Sequence, residues 1–122
     1  MSDSGPTVAL FGGAFDPPHV AHVLAAVWAL ATEELTAVWI EPVFVHPLDK
    51  QLAPFEQRIA MCEAAFAWLG AKVQIRRDEA QLGGSGRTID LLEYLSERHP
   101  ELNFRLILGT DQLTYRARWK DF

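Results

Sequence analysis

The sequence predicts an α/β fold: a Rossmann-like parallel sheet of about four strands with helices on both faces. Short apolar runs, typical of strands, alternate with longer segments whose apolar residues recur every three or four positions. The strands are nearly continuous in apolar residues, as expected of parallel strands buried on both faces. Three of the four strands end at a glycine or proline, and the strand–helix alternation itself predicts a parallel sheet.

The same signals define the elements in chain order. Glycine and proline mark most of the boundaries, and helical spacing identifies the segments between strands. Strands are predicted over 7–11, 35–42, 72–76 and 103–108, and helices over 19–32, 55–69 and 88–98. Residues 12–18, 43–54 and 77–87 are predicted to be loops or turns, and 110–122 to form short helical turns.

Each helix has its own support. On helix 19–32 the spacing predicts one broad apolar stripe formed by Val20, Val23, Leu24, Val27, Leu30 and Ala31. Helix 55–69 repeats apolar residues at intervals of four and three and stops at Gly70. Helix 88–98 begins with Thr88 as a predicted N-cap and ends before Pro100.

Composition limits the function classes. Apolar residues make up 49% of the 122 residues, charged residues 22%, and the net charge is −5, typical of one globular domain over 1–122. The acidic balance argues against nucleic-acid or membrane-surface binding, and no apolar run is long enough to cross a bilayer. Without a secretion signal, the cytoplasm is the expected compartment. The single cysteine, Cys62, is predicted to be a buried core residue.

One stretch predicts a binding site. The first strand ends at Gly12-Gly13, and a helix opens behind Pro17-Pro18 with His19 and His22 predicted in its first turn. A strand, a glycine turn and a helix N-terminus together place free N–H groups and the positive end of a helix dipole around one space. Two histidines three residues apart share a helix face, so we expect both to contact a phosphate rather than only to pack.

Other side chains receive a structural interpretation. Polar loops follow all four strands at one edge of a parallel sheet, which is where ligands bind in such folds. Asp16 is predicted to cap the turn. Three arginines are predicted to be surface charges and three tryptophans to be core or half-buried: Arg58, Arg76 and Arg77, and Trp28, Trp39 and Trp68.

Three segments resemble one enzyme family. Residues 12–22, GGAFDPPHVAH, resemble the G-G-[ST]-F-D-P-x-H-x-G-H signature of adenylyltransferases with a nucleotidyltransferase fold. Residues 86–92, GRTIDLL, look like the S-Y-T-x-x-T-L segment of nicotinate mononucleotide adenylyltransferases. Gly109-Thr-Asp111, with Trp119 eight residues on, looks like their G-x-D…W segment. The resemblance covers nearly the whole chain.

The resemblance implies transfer of AMP from ATP to nicotinate mononucleotide in NAD biosynthesis, giving deamido-NAD and pyrophosphate with Mg²⁺. It implies that His19 and His22 contact the ATP phosphates and act in catalysis, His22 foremost. It implies further ATP-binding positions at Gly12, Gly13, Ala14, Phe15, Gly109 and Asp111. It implies nicotinate mononucleotide binding by Arg87, Thr88 and Trp119. Lys50 is a further candidate for a phosphate contact, with a solvated lysine the alternative.

The match departs from the family pattern at several positions. Ala14 replaces a hydroxyl residue, Ala21 replaces a glycine that lets the base lie against the helix, and Arg87 replaces a tyrosine. The chain also contains no [ST]-x-x-R element after Trp119, where the family binds ATP phosphates. We therefore expect a fold truncated at its C-terminal end, an exposed edge strand that favours a homo-oligomer, and little product from this chain alone.

Two other interpretations remain open. The chain could be a non-catalytic nucleotide binder that keeps the cleft. It could also belong with related transferases that act on phosphopantetheine or transfer a cytidylyl group, although the Thr88 and Trp119 segments argue against these. A zinc site at His19 and His22 is disfavoured, because zinc sites usually have three or more protein ligands.

Overall fold

The computed structural model describes residues 5–44, 52–83 and 88–107. In chain order, its elements are β1 (Thr7–Gly13), α1 (Val20–Thr32), β2 (Ala37–Pro42), α2 (Phe55–Phe66), β3 (Val73–Ile75), α3 (Asp78–Leu82), α4 (Thr88–Arg98) and β4 (Asn103–Leu106). A short 3-10 turn, Ala67–Leu69, extends α2. No helix in the described ranges is long and apolar enough to span a membrane.

The four strands form one parallel sheet in the order β3-β2-β1-β4. The two central strands are the most apolar, and Leu10 of β1 lies opposite Trp39 of β2 and Leu106 of β4. This confirms the predicted fold class. β1 and β2 extend two residues beyond their apolar cores, because Gly12 and Gly13 continue to pair with Glu41 and Pro42.

Side chains of the central strands alternate between two cores, one on each face of the sheet. The first core joins Ala9, Phe11, Val38 and Ile40 to buried residues of α1 and α2, namely Ala26, Ala29, Cys62 and Phe66. The second joins Val8, Leu10, Ala37 and Trp39 to Leu91 and Leu95 of α4. Helices therefore cover both faces, as the strand pattern predicts.

The buried face of α1 differs from the predicted stripe. Of the predicted stripe, Val23 and Leu30 pack against the first core, but Val20 and Leu24 are 70% and 59% exposed. The fully buried residues are Ala26 and Ala29. Trp28 is 66% exposed, contrary to its predicted packing. The segment contains no charged residue, so its apolar spacing does not single out one face. The alanine face packs against the sheet, where small side chains allow a close approach of helix and strands.

The remaining differences concern ends and short elements. Residues 78–82 form a helix where a turn was predicted, and five residues are too few to show a helical period. Trp68 is 70% exposed, contrary to its predicted packing, because it lies on the 3-10 turn rather than on the buried face of α2. Trp39 and Cys62 are buried as predicted, and Gly70 ends the second helical segment with a φ of 90°.

Candidate functional site

The carboxyl ends of β1, β2 and β3 meet at one edge of the sheet. Gly13, the last residue of β1, lies in register with Pro42, the last residue of β2. The Gly13 carbonyl accepts a hydrogen bond from the Val43 N–H at 2.9 Å, which ties the two following loops together. The predicted gathering of these loops is thus present.

The loop after β1 is anchored by one aromatic side chain. Phe15 is 1% exposed, and its ring contacts Phe11, Phe66 and His22 at centroid distances of 5.4, 6.3 and 4.8 Å. Its φ of 50° lies in the left-handed region, which a non-glycine residue rarely adopts. Burial of the ring therefore holds the backbone of residues 12–15 in a turn at the start of the site.

The two histidines lie at the N-terminus of α1, although not both inside its first turn. His19 is the N-cap and is exposed, because the helix begins at Val20. The His19 N–H donates a hydrogen bond to Nδ1 of His22 at 3.0 Å. The two rings lie 4.0 Å apart with their planes inclined by 33°. The prediction of a shared face is confirmed, with His19 one position earlier than expected.

This hydrogen bond determines the protonation of His22. Because Nδ1 accepts, the neutral ring carries its hydrogen on Nε2, which is a free donor. Burial, followed by the nearby His19, lowers the pKa of His22, so the ring is neutral at pH 7. The first turn of α1 has no acidic residue to offset the positive end of its dipole. The arrangement suits an anion that accepts hydrogen bonds from an imidazole and from helix N–H groups.

Arg58 is a site residue that the sequence interpretation missed. It was predicted to be a surface charge, but it is 1% exposed. Its guanidinium donates to the carbonyls of Ala53 and Val43, each at 2.8 Å, and of Ala14 at 3.1 Å. The signal available in the sequence was its place beside Ile59 on the buried face of α2.

Asp16 also connects distant loops rather than capping its own turn. Its carboxylate accepts a hydrogen bond from the Ala53 N–H at 3.1 Å. Since Arg58 binds the Ala53 carbonyl, both polar groups of this residue are held by side chains at the site. The loop after β1 is thus attached at two points to the segment that precedes α2.

Three buried acidic side chains cluster near the carboxyl end of β2, on the face of the sheet that α4 covers. Its carboxyl groups belong to Glu41, Asp78 and Glu79, all at most 4% exposed. Arg76 forms a bidentate ion pair with Asp78 at 2.9 and 3.2 Å and stacks over Trp39 at 3.8 Å, so the prediction that it is a surface charge was wrong. Arg77 is exposed and paired with Glu56, as predicted.

Within this cluster, burial and neighbouring charges favour retention of a proton on Glu41. Burial, and then the hydrogen bond to Asp78, raises the pKa of Glu41 to about 10. Burial alone would raise the pKa of Asp78, but hydrogen bonds from Glu41 and Arg76 lower it. Burial raises the pKa of Glu79 to about 7. In the described ranges no three His, Cys, Asp or Glu residues are arranged to hold a metal ion.

The predicted second-substrate positions are less completely described. Thr88 is the first residue of α4 and is half-buried. Its predicted role as N-cap stays a prediction, because residue 87 lies outside the described residues. The other predicted binding residues, Lys50, Arg87, Gly109, Asp111 and Trp119, lie outside the described residues. Their roles stay predictions.

Comparison with known proteins gives a consistent result. Residues 10–122 match the cytidylyltransferase-like family. The chain is 45% identical over 115 residues to a probable nicotinate-nucleotide adenylyltransferase of Myxococcus xanthus and 47% identical over 118 residues to one of Anaeromyxobacter dehalogenans. Each alignment covers 94% of this chain, and the chain spans 60% and 63% of the length of these relatives.

Solved structures share the fold. A candidate nicotinate-nucleotide adenylyltransferase from Vibrio parahaemolyticus superposes with a TM-score of 0.78 at 25% identity, covering 95% of this chain and 68% of that one. A Plasmodium falciparum nicotinic acid mononucleotide adenylyltransferase complexed with NaAD gives 0.80 at 22% identity, covering 95% and 58%. The predicted nucleotidyltransferase fold is confirmed.

Proposed function

The chain belongs to the cytidylyltransferase-like family, and we propose that its protein transfers AMP from ATP to nicotinate mononucleotide. The products would be deamido-NAD and pyrophosphate. The observation that carries the proposal is the start of α1, where the His19 N–H holds His22 with its Nε2–H free beside the glycine turn. The names of the relatives at 45% and 47% identity support the choice of nicotinate mononucleotide.

The proposed reaction needs positioning and charge stabilisation more than covalent work by the protein. A phosphate oxygen of the mononucleotide attacks the α-phosphorus of ATP, and the bond to the oxygen between the α- and β-phosphorus breaks to release pyrophosphate. Negative charge grows on the phosphate oxygens during this step. The Nε2–H of His22 and the N–H groups at the start of α1 are placed to donate hydrogen bonds to those oxygens.

The ATP side and the mononucleotide side have different support. On the ATP side, Gly12 and Gly13 end β1, Ala14 and Phe15 follow them, and His19 and His22 lie at the start of α1. On the other side, Thr88 begins α4 at the same edge. We propose that ATP arrives as its Mg²⁺ complex, which supplies further neutralisation of phosphate charge, and that the protein acts in the cytoplasm.

A non-catalytic nucleotide binder is the second candidate. It is favoured by one observation: the hydrogen-bond donors at the start of α1 suit a bound anion and would serve binding without transfer. The first half of the site would suffice to bind ATP. Other transferases of the same family remain outcomes of the test, because they would use a different acceptor.

A single-turnover assay tests both candidates. Protein in excess over ATP is mixed with nicotinate or nicotinamide mononucleotide, and dinucleotide is separated by chromatography, so that a slow reaction is still measured. We expect deamido-NAD to form with preference for the acid substrate. Equal or better use of the amide contradicts the proposed substrate. ATP binding without any dinucleotide identifies the binder.

Substitution of His22 tests its assigned role. We expect His22→Ala to slow formation of the dinucleotide by roughly 100-fold or more, the usual loss when one transition-state donor is removed. His99→Ala is the matched control, since His99 follows α4 just before the amino end of β4 and should leave the rate unchanged. Equal rates for the two variants would remove His22 from the mechanism.

A further inference from the structure

Arg58 is buried at the centre of three loops, and every hydrogen bond it donates goes to a main-chain carbonyl. Its acceptors belong to the turn after β1, the end of β2 and the start of α2. A guanidinium offers donors in a fixed plane, so these three carbonyls are held in one mutual arrangement. No carboxylate in the described residues forms a salt bridge with Arg58. The positive charge of its guanidinium therefore lies behind the turn that follows β1.

The Ala14 carbonyl matters because of the peptide group to which it belongs. In a trans peptide, the C=O and the following N–H point in opposite directions. The only cis peptide bond among the described residues is Asp16–Pro17, so the bond between Ala14 and Phe15 is trans. When Arg58 holds the Ala14 carbonyl on its own side, the Phe15 N–H must point to the other side.

The preceding peptide group is oriented in the same sense. The Gly13 carbonyl is bound by the Val43 N–H, and Arg58 donates to the Val43 carbonyl. Both carbonyls therefore point toward the β2 and α2 side. The N–H groups of Ala14 and Phe15 point away from it, and no described residue accepts a hydrogen bond from either. Two adjacent donors with one direction form an anion-binding turn.

We propose that Arg58 is a positioning residue: by binding the Ala14 carbonyl it presents the Phe15 N–H to the phosphates of ATP. This rests on the proposed function, because it adds a residue to that site. Arg58 does not touch the nucleotide. It acts through the peptide group between Ala14 and Phe15. Its hydrogen bond to the Ala14 carbonyl also offsets the energetic cost of the φ of 50° at Phe15.

The test follows the Phe15 amide of the 122-residue chain by ¹H–¹⁵N NMR during titration with ATP. In the unmodified protein we expect the Phe15 resonance to move with the same saturation curve as that of His22. If ATP moves His22 and leaves Phe15 unchanged, or moves neither, the inference is wrong. These readouts report binding rather than transfer, so a protein that forms no dinucleotide but shifts Phe15 contradicts only the proposed function.

Two substitutions separate geometry from charge. Arg58→Lys keeps the charge but not the planar set of donors, and Arg58→Met removes both. We expect each to weaken ATP binding roughly 10- to 100-fold, as for the loss of a hydrogen bond to a charged group, and to abolish the Phe15 shift. Arg77→Met, at an exposed ion pair, is the matched control and should bind as the unmodified chain does.

Each result with these variants either supports or contradicts the positioning role of Arg58. Normal ATP affinity and a normal Phe15 shift in Arg58→Lys would show that charge alone suffices and would overturn the positioning role. Circular dichroism checks the fold of each variant. If Arg58→Met fails to fold, Arg58→Lys and the titration of the unmodified chain still decide, because the Phe15 shift itself is the predicted signature.

Discussion

His22 shows at the scale of one residue how a helix start prepares an anion site. Its Nδ1 accepts the N–H of the N-cap residue, which both satisfies a donor at the helix end and leaves Nε2–H for a ligand. The same contact requires a neutral ring, because a protonated Nδ1 cannot accept. Capping of α1 and readiness for a phosphate are therefore two results of one hydrogen bond.

This contact predicts a loss of stability in mild acid. The lowered pKa of His22 means that the unfolded chain binds a proton near pH 6.5 while the folded chain does not. Stability is thus fully present above about pH 6.5 and falls as the pH drops below it. In urea unfolding, His22→Ala should cost about 1 kcal/mol at pH 7.5, typical of a lost cap, and the difference from the unmodified chain should shrink toward pH 5.

The control for this experiment is His99→Ala, which removes a histidine without touching the start of α1. A difference for His22→Ala that stays constant between pH 5 and 7.5 would contradict the assigned protonation.

At the scale of elements, the contact between the end of β2 and the start of α3 is a carboxyl–carboxylate pair. Glu41 is the only charged residue of β2, and the other residues of this strand are apolar residues and a proline. Glu41 is 0% exposed. No described N–H or hydroxyl reaches its oxygens, and its partner is the Asp78 carboxylate, which Arg76 keeps ionised. A proton retained on Glu41 would let it donate to Asp78, the first residue of α3.

This pair predicts a loss of stability at high pH. The pKa of about 10 means that folded Glu41 keeps a proton that the unfolded chain releases above about pH 4.5. Stability should therefore fall as the pH rises through this range, by about 1.4 kcal/mol per pH unit for one proton. Glu79, with a pKa of about 7, acts in the same direction at lower pH. Cys62, whose pKa burial raises from 9.0 to about 12, adds a loss near pH 9 and above. Urea unfolding between pH 7.5 and 8.5 therefore reports mainly on Glu41.

Glu41→Gln tests this assignment, because the amide still donates to Asp78 but does not titrate. We expect its stability to be nearly constant between pH 7.5 and 8.5. Glu93→Gln, on the exposed face of α4, should keep the slope of the unmodified chain. Parallel slopes for Glu41→Gln and the unmodified chain would mean that Glu41 is ionised in the folded state.

At the scale of the whole molecule, the two cores meet in β1 and β2, and the outer face of α1 adds little to either. Val38 is 0% exposed in central strand β2, whereas Val20 is 70% exposed at the start of α1. Burial of apolar surface is the main stabilising term in folding. The same amino acid should therefore contribute very differently at the two positions.

A matched pair of substitutions measures this difference. Val38→Ala should lower the free energy of unfolding by roughly 2 kcal/mol, since it removes two buried methyl groups and leaves a cavity. Val20→Ala should change it by less than roughly 0.5 kcal/mol, as at other exposed sites. Urea unfolding at pH 7 compares them. Similar losses at the two positions would contradict the exposure of Val20.

Much of the fold was accessible from local patterns. The apolar run of β1 and its glycines, the period of α2 with Gly70 behind it, and the two histidines at the start of α1 each report on neighbouring residues. These are short-range properties, because a turn, a helix period or a cap involves groups only a few positions apart. They were sufficient to predict the parallel sheet and the pairing of the two histidines at the start of α1.

The misassigned residues depend on partners far away in the chain. Arg58 is buried because its guanidinium meets carbonyls 5, 15 and 44 residues away, and its place on the buried face of α2 indicates burial without identifying these acceptors. α1 turns its alanines to the sheet because the helix is apolar all round and only close packing selects a face. Local sequence thus specified the elements and the histidine pair, whereas burial of charge and the choice of helix face came from packing, since desolvation and close contact arise only when distant segments meet.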